Sequence, residues 1–448
     1  VNPAPAQLNQ LLRKREGTVH LLGIGGIGMV GLARLLQQRG FSVSGCDLQR
    51  NHLTDRLEQH GIRIFTGHAP EHLTGAIDWV IRSTAVPVDH PELLTARQRG
   101  LPVFRRGEVL AELLRDRFTI AVSGTHGKTT VTAIIVQLLD CGYCLGGEIP
   151  GWPDTANDGP VMAVEADESD GTAALYTPDL AVITNIEYDH MEHHADEASF
   201  FQVFEKFCGG TRKKIFYCGN DPHAARIAGR FPNAENYSQL EIRPNQLPLH
   251  GAHNRMNARA ALAVCRETGL RDLEFFKRLA HVHPPKRRFE IIAQHKGITV
   301  VSDYAHHPTE LRCLLHTARE LQPRRVLMIF QPHRYTRTRA LGPDFPPALT
   351  DADRLWITPV YAASEQPLPG GTSQDLIARF PAGKAAYAES PEAAWREVQN
   401  ELETGDLLLI AGAGDIEQLA SQIARKFTQT PDQKGKSESS EKSSASPA

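Results

Sequence analysis

Short apolar runs rich in Val, Ile and Leu recur along this chain, and most of them stop at a glycine or an acidic residue. Continuous apolar runs of this kind predict strands buried on both faces of a parallel sheet. The intervening stretches, with apolar residues at helical spacing, predict crossover helices. A first group comprises Thr18–Leu22, a helix through Gln38, then Phe41–Cys46, Ile62–Phe65, Trp79–Ser83 and Pro102–Phe104. A second group opens with the run from Phe118 and continues through Val161–Val164 and Leu180–Thr184 to a helix starting near His253, for which Asn254 is the expected N-cap. A third group has strands at Ile298–Ser302, Arg325–Phe330, Arg354–Thr358, Ala385–Tyr387 and Asp406–Ala411, with helices at Thr309–Glu320 and Pro391–Glu403.

The pattern predicts an α/β protein of three domains: a Rossmann-like domain over 1–116, a central phosphate-loop domain over 117–284 and a second Rossmann-like domain over 285–427. His283-Pro-Pro285 reads as the linker before the third. With 448 residues the chain exceeds what one hydrophobic core organises. The tail 428–448, polar and rich in Ser, Lys and Glu, is expected to be disordered.

Composition narrows the function by exclusion. A net charge of −3 gives no global reason to expect nucleic acid as a partner, and no apolar run approaches the roughly 20 residues that span a bilayer. A cytoplasmic protein without membrane insertion is expected, and the sequence leaves oligomerisation open. Seven cysteines in apolar or helical contexts read as small buried side chains, and Cys141-x-x-Cys144 lacks the second pair that a zinc site would need.

The strongest candidate chemistry is Gly124-Thr125-His126-Gly127-Lys128-Thr129-Thr130, placed between a strand and a helix. Glycines let backbone N–H groups close around phosphate oxygens, a helix N-terminus favours negative charge, Lys128 adds a point charge and Thr129 offers a hydroxyl to Mg²⁺. The spacing is shorter than a strict Walker loop, which would need a glycine where Val122 stands. Two strands end in acid-rich turns, Glu165-Ala-Asp167-Glu168-Ser-Asp170 and Asn185-Ile-Glu187-Tyr-Asp189-His190. In doubly wound sheets the carboxyl ends of the strands form the ligand crevice, so both turns should face the phosphate loop. His190, His193 and His194 admit a zinc reading, which lacks any cysteine or matched carboxylate spacing.

Earlier in the chain, Gly23-Ile-Gly25-Gly26-Ile27-Gly28 follows a strand and opens a helix, and Asp47 ends the next strand. This fits a dinucleotide fingerprint, although the same amides suit any diphosphate, including that of a UDP-sugar. In the third group, Arg334 and Arg337 lie three apart after a strand, where guanidinium forks can meet a carboxylate or phosphate.

Taken together, GIGGIGM at 23–29, GTHGKTT at 124–130, EADESDG at 165–171, TNIEYDHME at 184–192, HNRMNARAA at 253–261, DYAHHPTE at 303–310, QPHRYTRT at 331–338 and AGAGDI at 411–416 resemble the Mur ligases of peptidoglycan synthesis. The resemblance spans about Thr18 to Phe427, and HHPTE with QPHRYTRT points to the alanine-adding branch. It implies ATP-dependent ligation of L-alanine to the lactyl carboxylate of UDP-N-acetylmuramate through an acyl phosphate, with Mg²⁺ or Mn²⁺. By that resemblance, Gly23, Gly25, Gly26, Ile27, Gly28, Asp47, His68 and Ser83 hold the UDP-sugar. The 124–130 loop with Asn254, Arg288 and Asp303 holds ATP, and Thr129, Glu165 and His190 hold the metal. Tyr304, His306, Arg334 and Arg337 line the alanine pocket. Lys128, Glu165, His190 and His306 are the candidate catalytic residues, the base that deprotonates alanine staying unassigned between His190 and His306. Three substrates on three domains also imply a closing motion.

The chain departs from the family pattern between Tyr237 and His253, where a hairpin is expected to be reduced, and in the compact stretch between Leu145 and Val161. The glycine usual before Arg287-Arg288 is replaced, and Gly342-Pro343-Asp344-Phe345 stands where two acidic residues are common. Three other readings compete: a sibling or muramoyl-peptide recycling ligase, an NAD-dependent oxidoreductase resting on the first glycine loop, and a nucleotide-binding scaffold without turnover.

Overall fold

The computed structural model describes residues 5–189, 193–194 and 196–428. Two compact units divide the chain, Val1–Lys286 and Arg287–Ala448. The expected disorder of 428–448 and the site call on His190 lie outside the described residues, except that Thr428 ends the helix Ile416–Thr428.

The first unit contains two sheets. One is formed by β1 (Thr18–Leu22), β2 (Ser42–Asp47), β3 (Arg63–Thr66), β4 (Trp79–Arg82) and β5 (Val103–Arg105), all parallel, in the order β3-β2-β1-β4-β5. The order reverses at β1, so the crevice of this sheet opens where the 23–28 loop leaves that strand. Trp79 on β4 is fully buried, with Phe41 and Phe104 edge-on at 5.9 Å on either side.

The other sheet comprises β6 (Phe118–Ser123), β7 (Gly142–Cys144), β8 (Ala156–Asn157), β9 (Val161–Glu165), β10 (Leu180–Ile183), β11 (Lys214–Tyr217) and β12 (Ala234–Asn236). Its order is β12-β11-β10-β6-β9-β7-β8, parallel except for the β7–β8 pair. Here β6 is the switch strand. Its neighbours β9 and β10 are the strands that end in the two acidic turns, which explains how segments far apart in sequence reach one loop.

The two sheets are tied together within the unit. The helix Ile27–Gln38 approaches the second sheet so closely that a Cβ on Gly31 would lie 2.9 Å from the Cys144 sulfur. On the same helix Arg34 pairs with Asp154 at 3.0 Å, and Arg39, just beyond it, grips both oxygens of Asp158.

The second unit is one sheet of β13 (Glu290–His295), β14 (Ile298–Asp303), β15 (Arg325–Phe330), β16 (Arg354–Ile357), β17 (Ala385–Tyr387) and β18 (Asp406–Ala411), in the order β13-β14-β18-β15-β16-β17. Only β13 runs antiparallel. The unit begins on a turn in which Arg287 and Phe289 both take left-handed backbone, at φ 59° and 49°. These are strained values for non-glycine residues, and the turn is tied to the end of β14 by the Phe289 N–H donating to Asp303 and the Tyr304 N–H donating to the Arg287 carbonyl at 2.8 Å.

Two local expectations need correction or refinement. The helix Ala252–Glu267 is capped by Gly251 at φ 95°, not by Asn254. Asn254 sits in the first turn and donates to the His250 carbonyl at 2.7 Å. Between Tyr237 and His253 the chain forms two short 3-10 turns, Tyr237–Gln239 and Pro244–Gln246, in keeping with the reduced hairpin.

Candidate active site

In the first unit the phosphate loop is held from below by the turn after β10. Thr125 N–H donates to the Asn185 carbonyl (3.0 Å), His126 N–H to the Asn185 side chain (2.9 Å), and the Thr184 hydroxyl to the His126 carbonyl (2.7 Å). Glu187 accepts from His126 Nε2 at 2.8 Å. Gly124 at φ 130° and Gly127 at φ 86° supply the left-handed backbone of the turn, and Gly127 caps the helix Lys128–Leu138. A Cβ on Gly124 would press on the Thr184 hydroxyl and lie 2.9 Å from the Asn185 carbonyl.

The turn after β9 supplies the acids. Lys128 Nζ donates to Glu168 Oε1 at 2.8 Å, and to the carbonyls of Gly124 (2.6 Å) and Thr125 (3.1 Å). Burial pulls the Lys128 ammonium down, but Glu168 and Asp167 outweigh it and leave its pKa above the ordinary value. Thr129 Oγ1 donates to Glu165 Oε2 at 2.9 Å, and Glu165 Oε1 accepts from the Gly146 N–H at 2.6 Å. Thr130 is buried behind them. Asn254 accepts from Asn257 at 3.1 Å, and a Cβ on Gly127 would lie 2.8 Å from that same Asn257. Asn254 thus belongs to the wall behind the phosphate loop.

The 23–28 loop leaves β1 with Gly23 and Ile24 donating to the Cys46 carbonyl at 2.9 and 3.1 Å. Asp47 accepts from the Gly25 N–H at 2.8 Å, so it braces the loop directly. Gly26 caps the helix beginning at Ile27 without any side-chain cap, and a Cβ on Gly23 would lie 3.1 Å from that of Ser83. His68 turns its Nδ1 toward the Cys46 sulfur at 3.2 Å.

These two loops meet. A cleft of about 270 Å³ is lined by Gly26, Gly28 and Ser83 on one side and by Lys128, Glu165 and Asp167 on the other. Arg106 spans it, holding Asp167 at 3.0 Å while its guanidinium abuts Gly28. Arg106 was not among the expected site residues. The signal for it is its position directly after β5, at the carboxyl edge of the sheet, but its partner lies 61 residues away.

The second unit places its candidates at the carboxyl ends of β14 and β15. Asp303 accepts from the Phe289 N–H (2.6 Å) and the Ala305 N–H (2.7 Å). Burial raises its pKa to about 6, against the pull of Arg288 and those amides. The Tyr304 ring carries Arg287 and Arg288 on its face, at 4.8 and 5.3 Å. His306 Nδ1 lies 3.0 Å from the Tyr304 carbonyl and 3.4 Å from Glu310, and its ring tilts toward His333. Arg337, buried, contacts His333 Nδ1 at 3.1 Å, whereas Arg334, at φ 67°, pairs with Glu365 at 3.3 Å. Arg337 thus reaches His333 while Arg334 reaches Glu365. Of the histidines offered for zinc, His194 is buried against the Glu168 carbonyl at 3.0 Å and His193 is exposed, so neither forms a zinc cluster among the described residues.

Family comparison agrees with this geometry. Residues 18–118 match the model described as "Mur ligase family, catalytic domain", and 287–414 match "Mur ligase, glutamate ligase domain". A UDP-N-acetylmuramate--L-alanine ligase of Carboxydothermus hydrogenoformans is 38% identical over 447 residues, covering 91% of this chain and 96% of its own. The chain belongs to the Mur ligase family. Among solved structures, the UDP-N-acetylmuramate-alanine ligase MurC of Thermotoga maritima superposes with a TM-score of 0.77 at 27% identity, over 92% of this chain and 99% of its own. The murein peptide ligase of Psychrobacter arcticus shares the fold, with a TM-score of 0.71 at 22% identity over 93% and 99% of the two chains. Membership in a family of ligases removes the reading of the chain as an NAD-dependent oxidoreductase.

Proposed function

We propose that the chain ligates L-alanine to the lactyl carboxylate of UDP-N-acetylmuramate, converting ATP to ADP and phosphate, in peptidoglycan precursor synthesis. The observation that carries this reading is the cleft lined by Gly26, Gly28 and Ser83 together with Lys128, Glu165 and Asp167, which lets one molecule reach from the first glycine loop to the phosphate loop.

A carboxylate does not acylate an amine in neutral water, because it offers no good leaving group. In the proposed reaction, the lactyl carboxylate oxygen attacks the γ-phosphorus and ADP leaves, giving an acyl phosphate. The amine nitrogen of alanine then adds to the acyl carbon, phosphate leaves, and a proton passes from nitrogen to a base. Lys128 is assigned to the phosphoryl oxygens, and the amides of 124–130 to the remaining phosphates. Gly23, Gly25, Gly26, Ile27 and Gly28 are assigned to the UDP diphosphate, with Asp47 acting through Gly25. Asn254, Arg288 and Asp303 are kept as ATP-site candidates, and Tyr304, His306, Arg334 and Arg337 as those for alanine.

The hydroxyl of Thr129 and the carboxylate of Glu165, 2.9 Å apart at a helix N-terminus, are hard oxygen donors that fit Mg²⁺ or Mn²⁺, with His190 as a further candidate. Bound there, the ion supplies positive charge against the triphosphate. The division into 1–116, 117–284 and 285–427 is kept as one domain per substrate. No helix among the described residues is long and apolar enough to cross a membrane, and a cytoplasmic site of action suits the nucleotide substrates.

An amino-acid panel tests the specificity. ADP release with UDP-N-acetylmuramate should require L-alanine. Equal turnover with D-glutamate or a tripeptide would refute the alanine assignment in favour of a sibling or recycling ligase.

A further inference from the structure

On the first sheet, apart from the chemistry above, four side chains close around one carboxylate. Glu92, on the helix Pro91–Gln98, is fully buried, yet among the described residues neither Lys nor Arg pairs with it. Its Oε2 lies 3.1 Å from the Cys46 sulfur and 3.7 Å from His20 Nε2. Its Oε1 accepts from the Ala69 N–H at 2.7 Å and lies 3.0 Å from His72 Nδ1. His68 Nδ1 stands 3.2 Å from the same sulfur and 3.6 Å from Oε1.

Two features separate this cluster from an ordinary buried hydrogen-bond network. First, the donor atoms of His20, Cys46 and Glu92 all fall within 4.8 Å of one another, and all three residues are buried. Metal–ligand bonds of about 2.0–2.3 Å in a tetrahedron put neighbouring donors roughly 3.3–3.8 Å apart, close to the separations observed. Second, His20 Nε2 is buried without a hydrogen-bond partner, while its Nδ1 lies 2.9 Å from the Ser44 hydroxyl. An imidazole that donates through one nitrogen to an oxygen directs the lone pair of the other, the usual arrangement of a metal-bound histidine. Here Nε2 faces Glu92 Oε2 at 3.7 Å with the Cys46 sulfur within 4.8 Å, and in the tautomer that donates from Nδ1 to Ser44 it offers its lone pair to a cation.

We propose that His20, Cys46 and Glu92, with His68 within reach as a fourth donor, form a site for a divalent transition metal of the Zn²⁺ type. The mixture of sulfur, imidazole and carboxylate favours Zn²⁺ or Co²⁺ over Mg²⁺, which distinguishes this site from the oxygen donors at Thr129 and Glu165. Binding forms a sulfur–metal bond, and the Cys46 thiol proton leaves to solvent without any change of oxidation state. Since the Cys46 carbonyl accepts from Gly23 and Ile24, and Asp47 from Gly25, an ion here anchors the base of the first glycine loop.

Chelator-dialysed full-length protein, kept in excess Mg²⁺, should be titrated with Co²⁺ and then with Zn²⁺. The expected result is one Co²⁺ per chain with a thiolate-to-cobalt absorption band, displaced by Zn²⁺, and a Zn²⁺-dependent rise in melting temperature. Cys46→Ser should lose the band and the thermal shift, and His20→Gln should keep the thiol but bind at least tenfold more weakly. Wild-type protein without the thiolate band at saturating Co²⁺, or an undiminished band in Cys46→Ser, would overturn the site and leave a proton-only network.

Discussion

The guanidinium of Arg106, directly after β5 of the first sheet, holds the carboxylate of Asp167, beyond β9 of the second, at 3.0 Å. This pair closes the cleft shared by the two glycine loops, and its charged hydrogen bonds are only partly exposed. Arg106→Ala should raise KM for UDP-N-acetylmuramate by about 10- to 100-fold, roughly 1.4–2.8 kcal/mol, with a smaller effect on KM for ATP. Arg106→Lys should recover only part of the loss, because a point charge cannot replace the fork. Initial rates with each substrate varied in turn check this; equal effects on both nucleotides would show that the pair serves stability alone.

Gly124 tests the phosphate loop. Alanine there must adopt φ 130° and press its Cβ on Thr184, 2.9 Å from the Asn185 carbonyl. The expected outcome is destabilisation of about 1–3 kcal/mol and loss of nucleotide binding. Thermal unfolding with and without a non-hydrolysable ATP analogue reads both, and wild-type affinity in Gly124→Ala would count against the loop assignment.

Glu148 gives a pH dependence with a definite sign. Burial pushes its pKa up, but the hydrogen bond from His52, the charge of Lys286 and the hydrogen bond from Arg56 overcome this and hold it at about 2, below the ordinary 4.5. A depressed carboxylate pKa stabilises the folded state above pH 4.5, and that contribution is lost as pH falls from there toward 2. Glu148→Gln should therefore cost up to about 3 kcal/mol at pH 7, with the gap from wild type narrowing below pH 4.5. Denaturant unfolding at pH 7 and pH 3.5 measures it; a gap unchanged between the two would contradict the assignment.

Arg337, buried against His333, is the member of the Arg334–Arg337 pair proposed to meet the carboxylate of alanine. Arg337→Lys should raise KM for L-alanine at least tenfold and leave KM for both nucleotides within about twofold. Steady-state kinetics decide it, and an unaltered alanine KM would remove Arg337 from the pocket.

The fold was largely legible because its central strands are buried on both faces and so read as unbroken apolar runs. Arg325–Phe330 and Asp406–Ala411 match their expected limits. What escaped were the outer strands. β13 is half-buried or exposed throughout, β11 and β12 have only four and three residues, and β7 and β8 only three and two, too short for any period to register. The site was legible where chemistry is local, as at Lys128-Thr129. It was obscure where partners are remote: Arg106 needs Asp167, and Glu92 gathers His20 and Cys46 from separate strands. Asn254 illustrates a third case, in which a residue suited to capping is displaced because Gly251 can take the positive φ that its turn requires.

In the proposed reaction, Lys128 and its loop activate a carboxylate delivered from the first glycine loop. ADP release, followed while each substrate is omitted in turn, tests it most directly. Release should require UDP-N-acetylmuramate, L-alanine and Mg²⁺ together, and should fall by at least 10³-fold, about 4 kcal/mol, in Lys128→Ala. ADP release that proceeds without the UDP-sugar, or persists in Lys128→Ala, would contradict the account.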